Sequence, residues 1–173
     1  MVRPIAVVDT DVILLLLDTE DEKDVRVRKS YAELTIENLE RQKARFVVPA
    51  PVIAELCGNG PGSDVVREVA EKVFKNLRIE VLDEDAAVIA GEMSRTRLKQ
   101  RQGRERGAVK VDCQIAGIAH RIGAKWLVTG NGEDYRKCFA VLNSPVEVID
   151  ATQQPAFGQQ VMVSLVKPAT AGK

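Results

Sequence analysis

Short runs of β-branched and apolar residues alternate along this chain with stretches of helical periodicity, and few folds accommodate that alternation. Ile5–Val8 is apolar throughout, as a strand buried on both faces requires. Phe46–Val48, Ile79–Leu82, Trp126–Val128 and Val146–Ile149 read as four further strands, the second of the five stopped by Pro49 and Pro51. Helical patterns fill the intervals: Val12–Leu17, a stretch through Val27, Tyr31 and Leu34 to about Arg41, and one from Val52 through Glu55 and Leu56. Gly58, Gly60, Pro61 and Gly62 break the last of these. Ser63 suits the cap of a helix with Val66, Val69, Ala70, Val73 and Phe74 on one face, and Asp83 caps another running through Ile89 and Met93. Gly103 and Gly107 signal a loop. Asp112 then opens a helix in which Ile115, Ile118, Ala119 and Ile122 share a face. Strands alternating with helices predict an α/β fold of three layers, α/β/α, around a central, largely parallel sheet. Residues 1–150 make the expected domain, and 151–173 a C-terminal extension with an edge strand at Val161–Val166 and a disordered end from Pro168.

The 173 residues suffice for one well-buried core. Lys plus Arg number 25 and Asp plus Glu 25, so any nucleic-acid contact must be local and not a matter of net charge. The longest apolar run, Val12–Leu17, is too short to span a bilayer, and no signal peptide is evident. Cys57, Cys113 and Cys138 lack the spacing of a disulfide framework or a zinc knuckle, and a reduced, cytoplasmic setting is expected. A single histidine, His120, excludes a ribonuclease that uses two imidazoles as base and acid, and excludes a zinc site of several histidines. Its place in a helix predicts a structural role.

In an open α/β sheet the functional crevice lies beyond the carboxyl ends of the strands. Asp9 ends the first strand, Glu55 lies in the first turn or two of the helix after the second, Asp112 lies in the first turn of its helix, and Asp134 follows the Trp126–Val128 strand by a short loop. Two like charges about 4 Å apart repel by roughly 4 kcal/mol at an effective dielectric of ~20. Gathered carboxylates therefore share protons or hold a cation. Their hard oxygens, with no His or Cys expected nearby, suit Mg²⁺ or Mn²⁺, which can activate water and stabilise the leaving oxygen of a phosphodiester. Thr10, Thr129 and Asn131 add neutral oxygens able to orient such a site. Each acid taken singly is more often a helix cap; the joint placement carries the reading.

The run Ile5-Ala-Val-Val-Asp9-Thr10-Asp11-Val-Ile-Leu resembles the opening motif of PIN-domain nucleases. Val47-Val-Pro-Ala-Pro-Val-Ile-Ala-Glu55-Leu is similar to their second motif, Val111-Asp112-Cys-Gln-Ile-Ala-Gly-Ile-Ala to the third, and Leu127-Val-Thr129-Gly-Asn131-Gly-Glu-Asp134-Tyr135 to the fourth. The resemblance, over residues 4 to 150, implies a PIN-like fold and an Mg²⁺- or Mn²⁺-dependent ribonuclease. It assigns catalysis and the metal to Asp9, Glu55, Asp112 and Asp134, the first three as the core acids, with Thr129 and Asn131 assisting. Asp11 stands where many relatives carry Asn or Ser, and Asn131 where many carry Asp. Among these nucleases the chain is most like VapC-type toxins, which implies an RNA substrate, a small antitoxin partner and a homodimer; housekeeping RNA processing suits the same residues.

Seven basic residues against one acid lie between Arg95 and Lys110. Of these, Arg95, Arg97, Lys99, Arg101, Arg104 and Arg106 form a candidate RNA-phosphate contact leading into the Asp112 helix, with a solvated helix end as the plain alternative. Two other functions compete with the nuclease. Asp9-Thr10-Asp11 also resembles the opening of haloacid dehalogenase-type phosphatases, in which Glu55 has no role. A non-catalytic RNA-processing or binding module on the same fold would tolerate replacement of Asp9.

Overall fold

The computed structural model describes residues 2–20, 22–59, 64, 77–99 and 106–153. Within them lie five strands and six helices: β1 (Ile5–Val8), α1 (Thr10–Leu17), α2 (Lys23–Arg41), β2 (Arg45–Pro49), α3 (Ala50–Asn59), β3 (Arg78–Glu80), α4 (Glu84–Leu98), α5 (Arg106–Arg121), β4 (Trp126–Thr129), α6 (Gly132–Ala140) and β5 (Glu147–Asp150). The expected helix through Val66–Phe74, the edge strand at Val161–Val166 and the end from Pro168 fall outside the described residues.

All five strands are parallel, in the order β3-β2-β1-β4-β5. The chain starts at the centre, steps outward through β2 and β3, and returns to the other side of β1 for β4 and β5. The direction of winding therefore reverses between β1 and β4, and a crevice opens there beyond the strand ends. The register fixes both neighbours of β1, with Ala6 beside Phe46 on one side and Trp126 on the other. Every residue of β1 and β4 is buried, which explains why their sequences show no polar alternation. With helices flanking the sheet, this is the expected three-layer α/β/α, PIN-like architecture.

Trp126 belongs to the core as expected, its indole Nε1 donating to Glu147 Oε2 at 3.1 Å. The imidazole Nδ1 of His120 lies 2.8 Å from the Ser144 hydroxyl, a satisfied structural position. No helix among the described residues is long and apolar enough to cross a membrane.

Two boundaries differ from expectation. α5 begins at Arg106, so Asp112 is not in a first turn but lies farther along the helix. Gly107, read as a loop signal, sits one residue inside the helix start, where no intrahelical hydrogen bond from its N–H is yet required. α4 runs on to Leu98, placing Arg95 and Arg97 in its last turn, where cations complement the negative end of the helix.

Candidate active site

The site is built outward from Asp9. It leaves β1 with extended backbone (φ −86°, ψ 162°) and caps α1, its Oδ1 accepting from the Thr10 amide at 2.7 Å. Its Oδ2 accepts from the Thr129 hydroxyl, also at 2.7 Å, so the ends of β1 and β4 are tied across the switch point. Thr129 Oγ1 accepts in turn from the Asn131 amide at 3.0 Å. Only 6% of Asp9 is exposed. Burial pushes its carboxyl up to about 7; the Thr129 hydroxyl pulls against that rise, and the charge of nearby Asp11 adds to it.

The other acids arrive from separate elements. Glu55 on α3 accepts at Oε2 from the Thr10 hydroxyl at 2.5 Å, so Thr10 links it through α1 to Asp9. Asp112 on α5 is partly buried and its carboxyl is also raised to about 7, first by burial. Arg97 lowers it, while Asp134, Cys113 and Glu55 raise it. That mutual repulsion places Asp112 within the electrostatic reach of two of the other three acids. Asp134, in the first turn of α6, accepts at Oδ2 from the Asn131 side-chain amide at 2.8 Å. Asp11 is exposed at the mouth, its Cβ 3.3 Å from the point where a side chain on Gly130 would begin. A side chain on Gly130 would crowd Asp11 and Thr152, so glycine eases the close passage of the β4–α6 loop by α1.

Three features escaped the sequence reading. Arg97, grouped there with residues that contact RNA phosphates, is only 3% exposed and points inward, a correction to that assignment. Its Nη2 donates to Asp134 Oδ1, its Nη1 donates to Cys138 Sγ at 3.2 Å, and Nη1 stands 3.8 Å from Asp112 Oδ2. Burial works against its charge, but Cys138 and Asp134 outweigh burial and hold its pKa above the ordinary value. Second, the site is not free of sulfur: Cys113 and Cys138 are both buried, with their Sγ atoms 3.7 Å apart. Third, the Tyr135 hydroxyl is buried without a well-formed hydrogen bond. Burial, then the charges of Asp9 and Asp112, raise its pKa well above the ordinary value, so it remains a neutral phenol at the floor of the site.

Of the remaining basic residues, Arg95 and Lys99 are exposed. Arg101, Arg104 and the side chain of Arg106 lie outside the described residues.

Among the described residues, no three His, Cys, Asp or Glu side chains are yet gathered closely enough to hold a metal ion. Their chemistry nevertheless suits one. Asp9 and Asp112 are each raised to about 7, first by burial and then by neighbouring acids (Asp11 for Asp9, Asp134 and Glu55 for Asp112), and a divalent cation opposes both effects. Asp9, Glu55 and Asp112 offer hard oxygen donors of the kind Mg²⁺ and Mn²⁺ take. Asp134 differs, since both of its oxygens already accept from Arg97 and Asn131.

No family model matches the chain, and no curated protein matches it significantly. Solved structures share its fold over nearly their whole length. A chain of FitAB bound to an IR36 DNA fragment superposes with a TM-score of 0.55 at 17% identity, covering 88% of this chain and 99% of that one. FitAcB from Neisseria gonorrhoeae gives 0.53 at 20% identity, covering 84% and 97%. VapBC2 from Rickettsia felis, bound to a DNA fragment from their promoter, gives 0.52 at 20% identity, covering 84% and 99%. At such identities the likeness establishes the fold.

Proposed function

We propose that the chain is a metal-dependent endoribonuclease that hydrolyses RNA phosphodiester bonds, with Asp9, Glu55 and Asp112 as the residues that hold Mg²⁺ or Mn²⁺. The observation that carries this reading is the chain of contacts Glu55–Thr10–Asp9–Thr129, which draws acids and hydroxyls from α3, α1, β1 and β4 into one crevice at the switch point. When bound, the ion would supply an activated water and neutralise charge on the phosphodiester. The chain's own residues supply the placement. Thr129 and the Thr10 amide each fix one oxygen of Asp9. Thr10 aims Glu55, and Tyr135, buried within reach of the charges of Asp9 and Asp112, stays a neutral phenol.

The structures of like fold named FitAB and VapBC2 were solved with DNA fragments, one of them from their promoter. With the motif resemblance to VapC-type toxins, this favours the toxin of a toxin–antitoxin pair, with an antitoxin partner and a homodimeric form in the cytoplasm. The position of Glu55 counts against the phosphatase, which has no use for a carboxyl tied to the first Asp by Thr10.

The test is cleavage of a labelled single-stranded RNA with Mn²⁺, Mg²⁺ or EDTA. We expect cutting that EDTA stops. Cutting that persists in EDTA contradicts the metal-dependent reading, and hydrolysis of a small phosphomonoester without RNA cutting favours the phosphatase.

A further inference from the structure

We propose that Arg97 is a built-in cation of this site, standing where a second divalent ion would otherwise lie between Asp112 and Asp134, so that the chain binds a single ion on the Asp9–Glu55–Asp112 side. The inference rests on the metal reading above and deepens it.

A guanidinium does not lose its proton in a protein, and burying it is costly unless anions surround it. Arg97 is 3% exposed and reaches in from the last turn of α4. One arm of its fork donates to Asp134 on α6, and the other stands 3.8 Å from Asp112 on α5. It therefore bridges two acids of the site, brought by different helices. Asp134 is fully engaged, with Arg97 on one oxygen and Asn131 on the other at 2.8 Å. That makes Asp134 a positioning residue for Arg97 instead of a ligand.

Arg97 faces Asp112 and Asp134, so a divalent ion shared by those two would have to compete with a fixed positive charge for the same carboxylates.

The experiment counts Mn²⁺ bound to the full chain, without RNA, by isothermal titration and by the electron paramagnetic resonance signal of free Mn²⁺. It compares the native protein with Arg97→Met and Arg97→Lys. We expect one ion per native chain. Arg97→Met should gain a second ion or bind the first at least about tenfold more tightly. Arg97→Lys keeps the charge and should behave as the native chain does, which a merely structural role for the guanidinium would not produce.

Two ions on the native chain overturn the assignment and leave the metal nuclease standing; this count decides even where Arg97→Met fails to fold. A Met variant identical to the native chain, or a Lys variant that gains the second ion, overturns it as well. Mn²⁺ bound by none of the three proteins overturns the metal reading itself, and the inference with it.

Discussion

Asp9 sits where its surroundings work against its charge, and this has a measurable consequence for stability. Folded, its carboxyl titrates near 7; unfolded, an aspartate titrates near ~3.9. Between those values the native chain binds more protons than the unfolded one, so stability is greatest at the acid end of the window and falls as pH rises through 7. Asp112, also raised to about 7, acts in the same direction. In EDTA, Asp9→Asn should therefore melt several degrees above the native chain at pH 8, with the advantage shrinking towards pH 5. A variant less stable than the native chain at both pH values contradicts the environment described. Thr129→Val removes the hydroxyl that favours the charged Asp9. It should lower RNA cleavage at pH 7 by about 10- to 100-fold and move the acid limb of the pH–rate profile upward, as loss of a ligand-orienting contact does. An unmoved limb sinks that role. At this scale Asp9, Glu55, Thr10 and Thr129 were legible because each stands at a strand end or helix start and has a polar type. Arg97 was not. Among seven basic residues in one segment, nothing in the sequence marks the one that turns inward.

α4 and α5 bring Arg97 and Asp112 together, and their approach depends on Gly117. A Cβ there would lie 2.6 Å from the Ala86 carbonyl oxygen and 3.1 Å from Ala90 Cβ. Backbone cannot yield as a flexible side chain can, so Gly117→Ala should cost about 1–3 kcal/mol, read from a shifted midpoint in urea unfolding. An unchanged midpoint means that the two helices can separate freely. Existence and type of the elements followed from periodicity, but the starts of α5 and the end of α4 did not. Gly107 punctuates a sequence read residue by residue, yet a helix start tolerates it because the first N–H groups need no intrahelical acceptor. The end of β2 was nearer the mark, with Pro49 as its last residue and Pro51 in the opening turn of α3, where a missing N–H is harmless.

Across the whole molecule, the order β3-β2-β1-β4-β5 gathers residues as distant in sequence as Asp9 and Asp134. That much was implicit in the alternation of buried strands and amphipathic helices, since such a sheet has its crevice where the winding reverses. Chains of 17–20% identity share the fold, which shows how little of the sequence beyond that pattern the architecture needs. If acids from separate elements act as one hydrolytic unit, the effects of removing them are coupled. Single-turnover RNA cleavage in Mn²⁺ should be measured for Asp9→Asn, Asp112→Asn and the double variant. Each single change should lower the rate by about a thousandfold or more, and the double should lower it little further, as in other catalytic groups that work as a unit. A single variant near the native rate, or losses that simply multiply in the double, would contradict such a unit.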